Sequence, residues 1–250
     1  MTESGNRLSF ELPMLHGTLL RRYKRFLADV ELEDGRKLTV HCPNSGSMKN
    51  CCEPGRPVVL SDSNNPKRKL RYTWELIQIG RTWVGVHSAK SNHFMARFIA
   101  AGVIPELAGY DELRREVIYG EGGRSRVDLA LQSQGRPRCV IEIKHSTMRV
   151  GRFAAFPDAV TARGRKHLED LQWAVKQGDR AVMLFVVGRD DCEEFRPADE
   201  IDPAYGEALR NAIDVGVEVL AYRLKFRIDS VELLDRLPLC ITGTKPQTGQ

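Results

Sequence analysis

Ser-Arg-Val-Asp-Leu-Ala-Leu-Gln at 125–132 is followed, across Gly135 and Pro137, by Cys-Val-Ile-Glu-Ile-Lys-His-Ser-Thr-Met at 139–148. Two short apolar runs on either side of turn residues read as a strand pair. Three charges are set into them: Asp128, Glu142 and Lys144. Residues two apart on a strand point to the same face, so Glu142 and Lys144 share one. Val140, Ile141 and Ile143 surround them with apolar side chains. Burying charge in such a sheet is costly unless the charges pair or bind a metal. With Asp128 on the neighbouring strand, two carboxylates and an ammonium converge. That set can hold a hard divalent cation by oxygen and place a Lys beside a phosphate or an attacked water. The plainer alternative is a buried Glu142–Lys144 ion pair in an ordinary strand pair.

A chain of 250 residues suits one large domain or two small ones. No run reaches the roughly 20 apolar residues of a membrane helix, which argues against a membrane partner. The opening Met-Thr-Glu-Ser-Gly-Asn-Arg has no apolar signal core, so a cytoplasmic location is expected. Six cysteines lack the paired spacing of a zinc site, and free thiols are expected. His41 with Cys42, Cys51 and Cys52 is too irregular to be favoured as a metal cluster. The net charge is +5, and its excess lies wholly in residues 1–85, with 14 Lys/Arg against 9 Asp/Glu. Local basic excess suits either a phosphate-binding surface or a solvated face.

Residues 18–87 read as β. Thr18 to Leu32 is one long broken run, and Asp34-Gly35 turns into Arg36 to His41. Val58 to Ser61, Leu70 to Ile79 and Thr82 to His87 complete five strands, most simply an OB-like barrel. The loop ahead of Tyr72 and Trp74 carries Lys67, Arg68, Lys69 and Arg71. Basic residues beside rings are what single-stranded nucleic acid contacts, although Trp74 and Trp83 also suit a barrel core. Beyond residue 90 the pattern changes. Asn92 can cap a helix through Ala101, with Gly102 ending it. Strands are expected at 115–119, 126–132 and 138–147, a helix at Thr161 to Gln177 and a buried strand at Arg180 to Val187. A short helix at Tyr205 to Val215 and a strand at Val217 to Leu224 follow, with a frayed tail at 242–250.

Helix, three strands, helix, strand, with Asp on the second strand and Glu-x-Lys on the third, resembles the PD-(D/E)xK nuclease superfamily. Further segments narrow the resemblance: His-Cys-Pro-Asn-Ser-Gly-Ser-Met at 41–48, Tyr-Thr-Trp-Glu-Leu at 72–76, Phe-Pro-Asp-Ala-Val-Thr-Ala-Arg-Gly-Arg-Lys-His-Leu at 156–168 and Ile-Asp-Pro-Ala-Tyr at 201–205. Together they resemble the sugar fermentation stimulation protein family, from about Gly17 to Pro238. The resemblance implies an α/β chain: an OB-like domain over 1–87, then a PD-(D/E)xK nuclease-like mixed sheet flanked by helices over 88–250. It also implies DNA as partner and a regulatory role in bacterial sugar use. Asp128, Glu142 and Lys144 match the superfamily's motif positions.

In that setting Mg2+ or Mn2+ would be held by Asp128, Glu142 and the backbone carbonyl of Ile143, with Lys144 beside the attacking water. Glu116 is either an added carboxylate or an edge salt bridge. Arg163, Lys166 and His167 share a helical face, and basic residues near a helix start oppose the dipole, which favours a role in the cleft. Asp158 is either a cap or a site carboxylate. Three functions remain open: a Mg2+-dependent nuclease, a non-catalytic DNA-binding regulator of sugar metabolism genes, and an RNA-directed enzyme. The sequence leaves a homo-oligomer open.

Overall fold

The computed structural model describes residues 5–11 and 13–241. The tail expected to fray, 242–250, lies outside them. Seven strands precede the first helix: β1 (Arg7–Ser9), β2 (Met14–Tyr23), β3 (Leu27–Leu32), β4 (Lys37–His41), β5 (Pro57–Asp62), β6 (Tyr72–Ile79) and β7 (Thr82–Gly85). The chain continues through α1 (Ser88–Ala100), β8 (Glu112–Tyr119), β9 (Ser125–Gln132), β10 (Cys139–Ser146), β11 (Met148–Val150) and β12 (Phe153–Phe156). It ends with α2 (Ala162–Lys176), β13 (Arg180–Val187), β14 (Glu194–Pro197), α3 (Pro203–Val215), β15 (Glu218–Phe226) and β16 (Ser230–Arg236).

Strict alternation builds the barrel. Along β3, Ala28, Val30 and Leu32 are buried while their neighbours are half-exposed. The sheet runs β4-β3-β2-β5-β6-β7, and pairing of His41 in β4 with Thr73 in β6 closes it. Trp74 fills the interior with Leu19, Val30, Val40 and Leu60, and its Nε1 donates to the Leu76 carbonyl at 2.9 Å. Trp83 packs instead against the core of the larger sheet, because β7 lies at the barrel's margin on β15. The single run expected at 18–32 is a hairpin. Its turn uses Lys24 and Arg25 at φ 48° and 62°, where glycine would normally announce the reversal.

The larger sheet is mixed, in the order β1-β16-β15-β13-β10-β9-β8. Its centre, β10, β13 and β15, is parallel, and the outer pairings are antiparallel. α1 covers one face through Phe94, Met95 and Phe98. α2 and α3 cover the other through Leu168, Leu171 and Leu209. The fold is thus an OB barrel followed by a nuclease-like mixed sheet with three helices, as the resemblance implies. α1 begins at Ser88 rather than at the expected cap Asn92; its N-cap is His87, which makes no side-chain cap bond and so leaves no sequence signal. Thr161 does cap α2, accepting from the Gly164 amide at 2.9 Å. β1, β16 and the small sheet β11-β12-β14 were not expected. No helix among the described residues is long and apolar enough to cross a membrane.

Buried polar contacts fasten the barrel to the larger sheet. Glu75 of β6 accepts from Ser61 Oγ at 2.6 Å and Lys90 Nζ at 2.7 Å, and meets His87 Nδ1 at 2.9 Å. Burial pushes the Glu75 carboxyl up, but His87 and Lys90 outweigh it and hold it at about 2. His145, the residue after Lys144, donates Nε2–H to the Gly85 carbonyl at 2.8 Å, so Nδ1 accepts from Ser91 Oγ at 2.8 Å. Burial drops its pKa to about 4, keeping the ring neutral.

Candidate active site

The larger sheet opens where its charges sit. β9 and β10 pair from Cys139↔Leu131 only as far as Ile141↔Leu129, one step short of Glu142 and Asp128. On the other side, Glu116 stands opposite Asp128 at φ 54°, and the β8–β9 ladder skips that position. A left-handed Glu inside a strand is strained backbone of the kind found at sites. Val127 and Ala130 pack in one core and Leu129 in the other, so the alternation slips at Asp128. Asp128 takes up the freed backbone: its Oδ2 accepts from the Ile143 amide at 2.7 Å, and its Oδ1 from Asn92 Nδ2 at 2.6 Å.

Glu142 is 2% exposed. Its Oε1 accepts from Lys144 Nζ at 2.7 Å and from His167 Nδ1. Arg163 Nε donates to His167 Nε2 at 3.2 Å, which makes that nitrogen the acceptor and puts the ring proton on Nδ1, facing Glu142. Burial raises the Glu142 carboxyl, but His167 and Lys144 outweigh it and leave it below its usual range. Asp128 is in contact with neither His167 nor Lys144. Burial and the facing Glu142 push it up from 3.8 to about 6.

Asp128, Glu142, Lys144, Glu116, Arg163 and His167 thus line one cavity of about 480 Å3, together with Arg126 and Ile143. Glu142 Oε2 is buried there without a partner. Two carboxylates in mutual repulsion, one with an orphaned oxygen, fit a hard cation. Among the described residues no group of three or more His, Cys, Asp or Glu is arranged to hold a metal, so protein donors beyond these two would be carbonyls such as that of Ile143. The same holds for His41 and its neighbouring cysteines, and all six cysteines are free.

The remaining expected residues lie elsewhere. Asp158 neither caps α2 nor joins the carboxylates. It accepts from the Met48 amide at 2.9 Å and from Ser47 Oγ, tying the 44–48 barrel loop to the segment before α2. A Cβ on Gly46 would come within 2.7 Å of its carboxylate, so only glycine fits that loop. Lys166 turns away, to Ser125 Oγ and Asp170 at 2.8 Å. Lys67, Arg68 and Lys69 are exposed, and with Arg71 they line none of the cavities beside the carboxylates. Arg71 is forked onto Asp62 at 2.7 and 2.5 Å, because that carboxylate faces it across the loop. A cleft of about 650 Å3 instead joins Asn92, Lys144 and Arg163 to Asn44, Gly46 and Arg25 of the barrel.

Asn92, Arg126 and Arg25 were not singled out as site residues by the sequence. Arg126, two before Asp128 on the same strand, carried a usable signal. Asn92 and Arg25 carried none, since only tertiary packing brings them in.

The facing carboxylates make a stability test possible. A carboxyl raised above its ordinary value weakens the fold where it is ionised, and the penalty fades as pH falls through about 6. In EDTA at pH 8, Asp128→Asn should raise the melting temperature, by an amount equivalent to about 2 kcal/mol. The gain should shrink by pH 5. Because Asn keeps only one of the two acceptor oxygens, the pH dependence is the deciding measurement: a difference between the two proteins that is the same at pH 8 and pH 5 would show that the two carboxylates do not oppose each other.

Comparison with known proteins matches this geometry to a family. The model of the sugar fermentation stimulation protein RE domain matches residues 89–230, and that of the SfsA N-terminal OB domain matches residues 20–86. A sugar fermentation stimulation protein homolog of Geobacter sulfurreducens is 52% identical over 227 residues, covering 91% of this chain and 96% of the relative. One from Paramagnetospirillum magneticum is 46% identical over 235 residues, covering 94% and 99%. The structure of Pyrococcus furiosus SfsA in complex with Ca2+ superposes with a TM-score of 0.84 at 24% identity, covering 93% of this chain and 97% of that one.

Proposed function

The chain belongs to the sugar fermentation stimulation protein family, and from that premise we propose that it binds DNA across the cleft and hydrolyses its phosphodiester backbone. Mg2+ or Mn2+ would be held by Asp128, Glu142 and the Ile143 carbonyl. The observation that carries this reading is the meeting of Asp128 and Glu142 beside Lys144, with Glu142 Oε2 left without a partner. The Pyrococcus furiosus relative was solved with Ca2+, another hard ion of the class that carboxylates bind.

A divalent cation in this position neutralises phosphate charge and makes a bound water acidic. The chain's own residues do the rest. Lys144 Nζ is bonded to Glu142 at 2.7 Å and lies 3.2 Å from His167 Nδ1, and its remaining N–H can be aimed at a water or a phosphate oxygen. His167 keeps Glu142 ionised and oriented, and Arg163 keeps His167 in its tautomer. Arg163 is exposed at the mouth, where a guanidinium can clamp phosphate. Asn92 and the Ile143 amide fix the Asp128 carboxylate.

Plasmid, linear and single-stranded DNA incubated with Mg2+, Mn2+ or EDTA test the reading. Cleavage is expected with either metal and not in EDTA. Binding without cleavage under every divalent metal would leave the regulator reading standing.

Binding itself should weaken with salt through counterion release. Replacing Lys67, Arg68 and Lys69 together by Ala should lower affinity uniformly across sequences, and the salt slope should fall by up to about one unit per lost phosphate contact. An unchanged slope in a titration against salt would assign the grip to Arg25 and Arg163 in the cleft.

A further inference from the structure

A second cavity, of about 230 Å3, shares Arg126, Arg163 and His167 with the carboxylate cavity. Its other lining includes Tyr119, Arg124, Ser125 and Lys166. The charges there are not balanced within the protein. Asp170 is its one acidic lining residue, and Ser125 Oγ at 2.6 Å and Lys166 Nζ at 2.8 Å already engage it. The side chains of Arg124 and Arg126 make neither an ion pair nor a hydrogen bond among the described residues. Arg163 donates only to a neutral ring nitrogen. Among the described residues none of the three guanidinium groups has a carboxylate within ion-pair distance, and an anion between them would relieve their mutual repulsion.

Two further features point to an anion. Tyr119 is 4% exposed, and its buried hydroxyl has no partner. Burial and the nearby Glu142 raise its pKa, so the hydroxyl keeps its proton and can donate it. The turn ahead of β9 holds Gly120, Gly122 and Gly123 at φ 79°, 66° and 65°. That conformation reverses the chain tightly and delivers Arg124 and Arg126 to the same cavity.

We propose that this cavity takes a terminal phosphate monoester of a nucleic-acid strand whose neighbouring phosphodiester lies at Asp128 and Glu142. The proposal rests on the phosphodiester reading of that site and makes the protein act at strand ends. Charge favours a monoester: it carries about −1.5 to −2 near pH 7 and offers three acceptor oxygens to the guanidinium groups and the Tyr119 hydroxyl. An internal diester has a single negative charge and must leave the cavity on both sides. Buried Tyr119 and Asp170 form part of the lining, which suits a strand that ends there.

Short single strands carrying a 5′-phosphate, a 3′-phosphate or hydroxyls at both ends, titrated in EDTA so that no cleavage intervenes, test this. One phosphorylated end should bind at least about tenfold tighter than the hydroxyl strand, equivalent to about 1.4 kcal/mol, and the preferred arm identifies the end. Arg124→Gln should abolish the preference while leaving the hydroxyl strand's affinity unchanged. Tyr119→Phe, which keeps the ring's packing, should reduce the preference several-fold. Oligonucleotide binding that is indifferent to the end group and to Arg124→Gln would overturn the proposal. Failure of the parent reading looks different: no strand would be cleaved with Mg2+ or Mn2+, whatever its end group.

Discussion

Asp128→Ala or Glu142→Ala should lower Mg2+-dependent cleavage by about a hundred- to a thousandfold while leaving DNA binding in EDTA largely intact. Ligands that act on developing charge serve the transition state more than the ground state, and removing one such group typically costs two to three orders of magnitude. Lys144→Ala should remove turnover to a similar extent while Mg2+ still binds. Glu142 also neutralises Lys144 and accepts from His167 in a buried setting. Its loss therefore carries a folding penalty, and Glu142→Gln with a melting curve separates the two effects. Without metal the carboxylates repel phosphate, so Mg2+ should tighten DNA binding to wild type more than to Glu142→Gln. Should cleavage survive in Asp128→Ala, or Mg2+ change the affinity of wild type and Glu142→Gln equally, the catalytic reading is lost.

The largest stability effect is expected at Glu75. Glu75→Ala strands the half-buried Lys90 and His87 and leaves Ser61 without its acceptor. Removing one member of a buried ion pair costs about 3 to 5 kcal/mol. Because Lys90 is 29% exposed and can turn partly to water, about 3 kcal/mol is expected. For a chain of this length that is a fall of roughly 6 to 12 °C in Tm. The pH dependence follows from the depressed pKa. Glu75 stabilises the fold fully above its ordinary 4.5 and loses that contribution as pH falls toward about 2. Wild type and Glu75→Ala should therefore converge in acid. Thermal melts from pH 7 to pH 3 check this, and a gap that stays constant over that range would refute the role given to the carboxylate.

The triad was legible because strand geometry fixes it: Glu142 and Lys144 at i, i+2 must share a face, and a buried carboxylate needs a partner. His167 was legible from helical spacing with Arg163. Asn92 was read as a helix start because Asn favours caps, yet its amide was needed five residues into α1 to hold Asp128. The β2–β3 turn escaped because Lys24 and Arg25 adopt a conformation that their side chains disfavour. The role of Asp158 is hidden from the sequence for a different reason. Its partners, Ser47 and Met48, lie 110 or more positions away in the chain, and no local pattern encodes such a contact. Arg124 carries no local signal, because a single arginine on a β-hairpin is ordinary, and Arg126 carries only its i, i+2 spacing to Asp128; their lack of side-chain partners in space sets both apart.

β1 lies at the far edge of the larger sheet, paired with β16, although the barrel follows it in the chain. The described chain therefore runs from the larger sheet at β1 out into the barrel and returns through His87 into α1. The barrel is an insertion held at both ends, like a handle rather than a flap on one hinge. Swinging it open would require β1 to peel from β16 or the Glu75 and His145 contacts to break. On the proposed reading, selection among nucleic acids therefore falls to entry between two bodies already tied together, and little is left for closure to decide.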